Sequence, residues 1–304
     1  MSGPLVAVTG ATGFIGSVLL KSLLKGGWKV RALTRSPRVD DEFTQWIEGD
    51  LDNLNALRNL VKGVSAVVHC AGQVRGSSLE DFVHSNVEGT GNLVGASIQQ
   101  DFPPRFLLIS SLAARQPELS WYATSKCMAE QLVIDHSHIM PCAVFRPTAV
   151  YGPGDKEMSP LFRITRLGIL PMVGQPSMRF GLLHVDDLVA AILCWLSTGI
   201  PVHGVYELDD GKPGGYDSQS VAAIAQEVWK RRVYCIFLPA PLVSLIANFN
   251  LWSARLLNYS PMLTPGKVRE LQHLDWVCDI TPLTLALPHW QPRIGLRDAL
   301  PQAI

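Results

Sequence analysis

Short apolar runs alternate with longer helical patterns through the first half of the chain. Six runs predict strands, at residues 5–9, 28–33, 46–48, 66–69, 105–109 and 142–145. Between them, the spacing of apolar residues predicts helices over 14–25, 53–61, 79–100 and 120–138. Strands that alternate with helices form right-handed crossovers, so this pattern predicts an α/β fold with a doubly wound, mostly parallel sheet.

The second half of the chain lacks this regular alternation. Prolines and glycines interrupt residues 147–181, after which a helix is predicted over 185–196 and a strand over 204–208. We therefore expect a first domain over 1–178, to whose sheet 179–208 return. A smaller C-terminal region, mostly for substrate binding, is expected over 209–304.

A glycine-rich turn joins the first strand to the first helix. Residues 10–16 have the spacing G-x-x-G-x-x-G. Glycine permits a tight turn and lets a pyrophosphate approach the backbone, and the helix N-terminus then faces the phosphates. This turn predicts an NAD(P)-binding domain of the Rossmann type. The expected cofactor contacts in it are Gly10, Thr12, Gly13, Phe14, Ile15 and Gly16.

The end of the second strand bears on the choice of cofactor. Folds that select NAD usually place an acid here, on the ribose 2′-hydroxyl. This sequence has no acid over 30–38 and has Arg31, Arg35 and Arg38 instead. A guanidinium can pair with a 2′-phosphate, so NADP(H) is favoured over NAD(H), with Arg35 as the main contact. The alternative is that these arginines are solvated surface charges.

Tyr122 and Lys126 form a Y-x-x-x-K pair on a predicted helix. The i, i+4 spacing places them on one helical face, where the ammonium favours the phenolate. Tyr122 is therefore a candidate proton donor or acceptor. The fifth strand ends at Ser110 and Ser111, at the edge of the sheet where ligands bind in such folds.

Together these motifs resemble the extended, epimerase-like branch of the short-chain dehydrogenase/reductase superfamily, in the style of its dihydroflavonol-reductase and 3β-hydroxysteroid-dehydrogenase members. Further segments are similar to motifs of that branch. They are Gly49-Asp50-Leu51, His69-Cys70-Ala71-Gly72, the N-V-x-G-T stretch at 86–90, Arg146-Pro147 with Tyr151-Gly152-Pro153, and the H-V-D-D-L stretch at 184–188.

The resemblance implies roles for individual residues. Tyr122 would be the general acid/base, Lys126 would hold the nicotinamide ribose, and Ser111, the second serine of the pair, would bind the substrate oxygen. Asp50 would contact the adenine. The cofactor site would be completed by Leu51, Ala71, Gly72 and Pro147. Only eleven positions separate Ser111 from Tyr122, so the loop that often covers the substrate in this branch is expected to be short.

Three functions stay open at this point. The first is an NADP(H)-dependent oxidoreductase acting on a hydrophobic carbonyl or secondary alcohol. The second is a nucleotide-sugar epimerase, for which Arg179 stands where such enzymes place a diphosphate-binding arginine. The third is a non-catalytic NADP-binding sensor or assembly protein, against which the presence of Ser111, Tyr122 and Lys126 argues. Asp186 and Asp187 are expected to cap the helix that follows them.

An apolar segment at 233–263 favours the first function. It contains 21 hydrophobic residues out of 31 and a single charge, Arg255. A helix with a broad apolar face is predicted here. The segment indicates an apolar substrate pocket, a homodimer interface or a face that touches a membrane.

Composition excludes other classes of protein. The 26 basic and 26 acidic side chains balance, and no basic block stands out, which argues against a nucleic-acid partner. Six scattered cysteines and an N-terminus without the pattern of a signal peptide favour a cytoplasmic location. The histidines and cysteines lack metal-ligand spacing, so no metal site is expected.

Overall fold

The structure, a computed structural model, describes residues 4–303. Thirteen β-strands lie in that range. In chain order they are β1 Leu5–Thr9, β2 Lys29–Thr34, β3 Thr44–Glu48, β4 Ala66–His69, β5 Arg105–Ile109, β6 Cys142–Pro147, β7 Ala149–Tyr151, β8 Ile169–Val173, β9 Arg179–Phe180, β10 Leu182–His184, β11 Gly204–Leu208, β12 Tyr234–Leu238 and β13 Asp275–Trp276.

Twelve α-helices lie in the same range. They are α1 Phe14–Lys25, α2 Leu54–Val61, α3 Leu79–Phe82, α4 Gly89–Ile98, α5 Trp121–Asp135, α6 Ser159–Arg166, α7 Val185–Ser197, α8 Ser218–Trp229, α9 Ala240–Leu257, α10 Pro265–Gln272, α11 Thr281–Ala286 and α12 Leu296–Ala299. A π-helical stretch, Val83–Glu88, separates α3 from α4.

The central sheet has seven strands in the order β3-β2-β1-β4-β5-β6-β11, six of them from the first half of the chain. Every neighbouring pair is parallel, which confirms the predicted doubly wound sheet. The chain runs outward from β1 in one direction to β2 and in the other to β4. Ligands bind beside the carboxyl ends of strands at such a reversal of strand order.

Helices cover both faces of this sheet. Along β1 the side chains alternate: Val6 and Val8 pack with α1 and α7 on one face, and Ala7 packs with α2, α4 and α5 on the other. All four residues of β4 are buried, as expected for a strand covered on both faces. Residues from the far end of the chain, Leu287 among them, complete the first of these two clusters.

The helix predicted over 79–100 is interrupted. Its middle is the π-helical stretch, where the Thr90 hydroxyl donates to the Asn86 carbonyl oxygen over 2.6 Å. The side chain of Asn86 is held by the backbone of Gln73, which accepts from its amide and donates to its oxygen. This anchoring accompanies the wider turn, and π-turns are frequent at functional sites.

The rest of the chain forms three two-stranded pairs, β7 with β10, β8 with β12 and β9 with β13. A third apolar cluster joins residues such as Tyr151 and Phe162 to Tyr216, Val221 and Leu296. These residues come from both sides of the expected boundary at residue 178. The division into domains therefore stays a prediction.

The predicted apolar helix is α9. Its buried side consists of Val243, Ala247, Leu251 and Ala254 and packs near Val268 of α10. The opposite side is apolar as well and is exposed. Within residues 4–303, no helix combines the length and the hydropathy that crossing a bilayer requires.

Candidate active site

The glycine turn forms a closely packed cradle after β1. Gly10 has a φ of +69°, and a Cβ there would lie 2.7 Å from the backbone nitrogen of Ala71. A Cβ on Gly16 would lie 2.1 Å from the Gly10 carbonyl oxygen. Gly13 precedes α1 and no side chain caps this helix, so the amides of its first turn point to the cradle without a side-chain acceptor. The cradle fits the pyrophosphate of a dinucleotide.

Thr12, Phe14 and Ile15 continue the cradle into the first turn of α1. Ala71 and Gly72 follow β4 and line the cradle's other side. A Cβ on Gly72 would lie 3.3 Å from the Lys126 ammonium, so this glycine lies between the cradle and α5.

A cavity of about 520 Å³ lies beyond β2 and β3. It is lined by Arg35, Glu48, Gly49, Asp50 and Asn53. The Asp50 carboxylate accepts from the backbone amides of residues 52 and 53 over 3.1 and 3.0 Å, which orients it at the rim. Leu51 packs under Gly89 at the start of α4. The size and position of this cavity suit the adenosine end of a dinucleotide.

The three arginines near this cavity have different roles. Arg35 lines it. Arg31 instead donates to the side chain of Gln45 and to carbonyl oxygens at the end of α2, the Lys62 oxygen at 2.7 Å. Arg38 stacks over the ring of Trp46, 4.8 Å from its centroid. Arg31 is thus engaged within the protein, the stacking of Arg38 accounts for its position without a ligand, and of the three it is Arg35 that lines the cavity.

Tyr122 and Lys126 lie on α5 beside the cradle. The Lys126 ammonium is buried and donates to the Ile109 carbonyl oxygen over 3.0 Å. Burial lowers the pKa of Lys126 to about 8, against the charge of Glu130, which acts to raise it. Lys126 is thus mostly protonated at neutral pH and loses its charge near pH 8.

Burial raises the pKa of Tyr122 to about 12, and the charges of Glu270 and Glu130 act in the same direction. A hydrogen bond with the Ser111 side chain acts to lower it. In the chain without cofactor, Tyr122 therefore keeps its proton near neutral pH. It is poised as a proton donor next to Ser111.

The two serines at the end of β5 have separate partners. The Ser110 hydroxyl donates to the buried carboxylate of Glu130. The Ser111 hydroxyl accepts from the Ala113 amide over 3.2 Å, at the start of a 3₁₀ turn, and lies against Tyr122. Of the pair, Ser111 is the one placed beside the tyrosine.

The family of this chain follows from its similarity to known sequences. The sequence model of the NAD dependent epimerase/dehydratase family matches residues 6–208. The chain belongs to this family. It is accordingly an enzyme with the Rossmann-type cofactor fold.

Two curated relatives in this family are reductases. A ceramide reductase of Caulobacter vibrioides (strain NA1000 / CB15N) is 36% identical over 307 residues, covering 98% of this chain and 93% of that protein. A 2-alkyl-3-oxoalkanoate reductase of Stenotrophomonas maltophilia (strain K279a) is 28% identical over 208 residues, covering 61% of this chain and 63% of that protein.

A solved structure of an epimerase/dehydratase fold resembles nearly the whole chain. It is MoeE5 in complex with UDP-glucuronic acid and NAD, with a TM-score of 0.75 and 25% identity. The match covers 99% of this chain and 97% of that one. The α/β architecture described above is thus shared with this family over both halves.

A buried ion pair between Glu130 and Arg146 lies next to the Y-x-x-x-K motif and was not predicted from the sequence. Glu130 is 2% exposed and accepts from the Arg146 guanidinium over 2.5–3.0 Å and from Ser110. Its position, four residues beyond Lys126, is a signal that could have found it, since both residues share a face of α5.

Glu270 of α10 is a second missed residue. It is buried, accepts from the Ser120 hydroxyl at the start of α5, and pairs with Lys267 over 2.8 Å. It therefore brings a carboxylate close to Tyr122 from far along the chain. No local pattern in the sequence points to this contact.

Other motif residues have structural partners. His69 is buried between Thr9 and Thr90, at 2.6 and 3.0 Å, and burial lowers its pKa to about 3. Pro147 is the buried last residue of β6. Arg179 pairs with Asp217 over 2.9 Å.

The expected caps of α7 were wrong. His184 caps this helix, accepting from the Asp186 amide over 3.3 Å. Asp187 instead accepts from the amides of Arg293 and Ile294, at 3.0 and 2.8 Å, and so holds the C-terminal segment against α7. The reason is position: Asp187 lies inside the first turn and faces the core rather than the helix start.

Proposed function

We propose that this enzyme transfers a hydride between NADP(H) and a ketone or secondary alcohol of a long-chain, apolar substrate. The observation that carries the proposal is the cluster of Ser111, Tyr122 and Lys126 beside the glycine cradle. The two relatives named as reductases, one of ceramide and one of 2-alkyl-3-oxoalkanoates, support this substrate class.

The residues of the cluster divide the work in this proposal. A dinucleotide, when bound, would supply or accept the hydride. Lys126 would bind the ribose next to the nicotinamide, and its charge favours the phenolate of Tyr122. In the reductive direction Tyr122 donates its proton to the substrate oxygen, while Ser111 donates a hydrogen bond to the same atom. The high pKa of Tyr122 suits this direction.

The preference for NADP(H) depends on Arg35. It is the basic residue lining the cavity at the adenosine end, and a 2′-phosphate would accept from its guanidinium. Glu48 and Asp50 line the same cavity and oppose a phosphate. The proposal therefore requires that Arg35 outweigh both carboxylates, which a fluorescence titration of NADPH against NADH can measure.

A nucleotide-sugar epimerase is the second candidate function. Likeness to MoeE5, solved with UDP-glucuronic acid and NAD, favours it. The pairing of Arg179 with Asp217 speaks against it, since the arginine expected on a diphosphate already has a partner. The assembled catalytic cluster argues against a non-catalytic sensor.

A substrate screen separates these functions. Long-chain ketones of the ceramide and 3-oxoalkanoate types are compared with UDP-sugars, using NADPH oxidation and product analysis as readouts. The proposal expects NADPH oxidation with the ketones. Interconversion of UDP-sugars without net cofactor consumption, together with inert ketones, would overturn it.

We further infer a reducing compartment such as the cytoplasm. All six cysteines are free, and burial raises the pKa of five of them, Cys70, Cys142, Cys194, Cys235 and Cys278, so that these stay as thiols. Fractionation of cells expressing the full chain tests this location. Recovery of the protein in an oxidising compartment would contradict it.

A further inference from the structure

One side of the substrate region exposes apolar residues in regular order. On β12 the exposed side chains alternate with sheltered ones, Tyr234, Ile236 and Leu238 being exposed. The neighbouring strand adds Ile169, which pairs with Tyr234. Alternation of this kind is normally apolar toward the core and polar toward water. Here both faces of the strand pair are apolar.

The exposed apolar surface continues into α9. This helix begins directly after Pro239, and its outward side consists of Leu242, Leu245, Ile246, Phe249, Trp252 and Leu256. These residues follow helical spacing, so they form one stripe. We call this stripe, with the exposed residues of β8 and β12, the apolar face. Contiguous apolar surface of this kind marks a contact site.

Basic residues outnumber acidic ones in the segments that form the apolar face. Residues 158–185 and 228–269 carry nine basic residues and no acidic one, in a chain whose net charge is zero, and Glu157, Glu227 and Glu270 border these ranges. Two of the nine, Arg179 and Lys267, have acidic partners. The other seven form no ion pair with any of residues 4–303.

Five of these cations gather where β8 and β12 begin. Arg163 and Arg166 lie on α6 just before β8, and the run 230–232, Lys-Arg-Arg, comes just before β12. The two segments are adjacent, because the Tyr234 amide donates to the Gly168 carbonyl oxygen over 2.9 Å. All five side chains are exposed. The apolar face thus has a basic cluster at one end.

The apolar face also adjoins the catalytic site. Arg255 of α9 donates to the Ser77 carbonyl oxygen over 3.3 Å, in the loop that follows the cradle residues 71–72. The next helix, α3, brings the ring of Phe82 against Tyr122, with 6.1 Å between centroids. This loop and α3 therefore connect α9 to the catalytic tyrosine.

We propose that the apolar face and its basic cluster dock on the surface of an anionic lipid bilayer. Exposed apolar side chains would enter the boundary between headgroups and acyl chains, and the five cations would face the acidic headgroups. The inner side of α9 is packed within the protein, and the helix lacks the hydropathy for crossing a bilayer, so it would lie in this boundary. A second copy of the chain fits less well, since the segments that form the same face on that copy contain no acidic residue to pair with the basic cluster.

Docking in this way explains how an apolar substrate reaches the site, and in that respect it deepens the proposed function. The docking itself does not depend on turnover. It can therefore fail while the proposed reaction stands, and the reverse.

Cosedimentation of the full chain with vesicles tests the proposal. One preparation is phosphatidylcholine alone and the other contains phosphatidylglycerol as well. We expect binding to the anionic vesicles that weakens with salt. Arg231→Glu with Arg232→Glu should lower this binding at least about tenfold. Leu245→Ser with Phe249→Ser should lower it similarly, whereas Lys21→Glu with Lys25→Glu, on exposed positions of α1, should leave it unchanged.

Three outcomes would overturn the proposal. They are equal binding to both vesicle types, binding unaffected by the substitutions in the cluster and stripe, and a dimer that the Leu245/Phe249 change dissociates while vesicle binding is absent. Far-ultraviolet circular dichroism and turnover of a water-soluble ketone keep loss of folding separate from loss of docking.

Discussion

The two halves of this molecule differ in which side chains they bury and which they expose. The sheet half, residues 4–147, buries polar side chains such as Lys126, Glu130 and His69. The substrate half exposes large apolar ones such as Phe249 and Trp252. These three buried groups have hydrogen-bond partners, as burial demands, whereas Phe249 and Trp252 remain 65% and 59% exposed to water.

This difference separates two kinds of information. The hydrogen-bond partners of Lys126, Tyr122 and Glu130 lie within residues 4–147, so the proposed reaction chemistry is organised mainly there. The exposed surface of α9 requires something outside the chain to cover it. The buried polar groups therefore bear on the proposed reaction, and the exposed apolar groups bear on the proposed site of attachment.

The largest effect should come from Tyr122→Phe. It removes the proposed proton donor without changing the packing of the ring against Phe82. We expect kcat to fall by at least about a hundredfold while cofactor affinity is unchanged. Steady-state kinetics and a cofactor titration measure the two quantities. Tyr206→Phe, which alters a hydroxyl bonded to the His203 carbonyl oxygen at the sheet edge, is the control. Full activity of the Tyr122 variant would remove the mechanism.

The next largest effect is expected for Glu130→Gln. It leaves Arg146 without its buried partner, which should cost about 3 kcal/mol of unfolding free energy. It also removes the charge that raises the pKa of Lys126, so that pKa should fall below about 8. The alkaline limb of the activity profile should then move to lower pH, since less Lys126 stays protonated.

Denaturant unfolding and a pH profile measure both effects of Glu130→Gln. The matched control is Asp135→Asn, an exposed residue on the same helix that accepts from Gln131. A merely structural role would lower stability without moving the profile. An unchanged stability would show that the buried pair contributes nothing.

A pair of identical changes on α9 sharpens the comparison between buried and exposed apolar groups. Leu251 is 9% exposed and Leu256 is 63% exposed. Leu251→Ala should lower the unfolding free energy by about 2 kcal/mol, because it opens a cavity on the buried side of α9. Leu256→Ala should change it by less than about 0.5 kcal/mol. Equal losses in thermal or denaturant unfolding would mean that the outer stripe is covered by the protein itself.

The smallest effect is expected for Arg35→Ala. Loss of the one guanidinium that lines the adenosine cavity should weaken NADPH binding about tenfold and leave NADH binding unchanged. Arg58→Ala, an exposed arginine of α2, is the control. If both cofactors weaken equally, Arg35 does not read the 2′-phosphate.

Local patterns explain which parts of this fold could be predicted. The glycine turn, the Y-x-x-x-K pair and the strand-end serines each occupy a few consecutive residues, and βαβ order then places them at one edge of the sheet. The pairing of Ile169 with Tyr234 could not be predicted in this way. Both strands have five residues and join segments far apart in the chain, so no nearby turn sets their register.

Tertiary contacts also decided the details that periodicity could not resolve. Helical spacing over 79–100 is compatible with an unbroken helix, and the π-turn accompanies the binding of Asn86 by Gln73. Arg31 lies within β2 and donates to carbonyl oxygens at the end of α2, whereas Arg35 follows the last residue of this strand and lines the cavity.

The last stretch of the chain has a consequence for modularity. Leu283, Leu287 and Trp290 fill the first core cluster beside α7, and the Trp290 indole donates to the Asp187 carbonyl oxygen. A fragment ending at residue 208 would leave that side of α7 open to water. The two halves are therefore not interchangeable parts. A chimera that grafts another substrate half onto this sheet must also carry over residues 283–294.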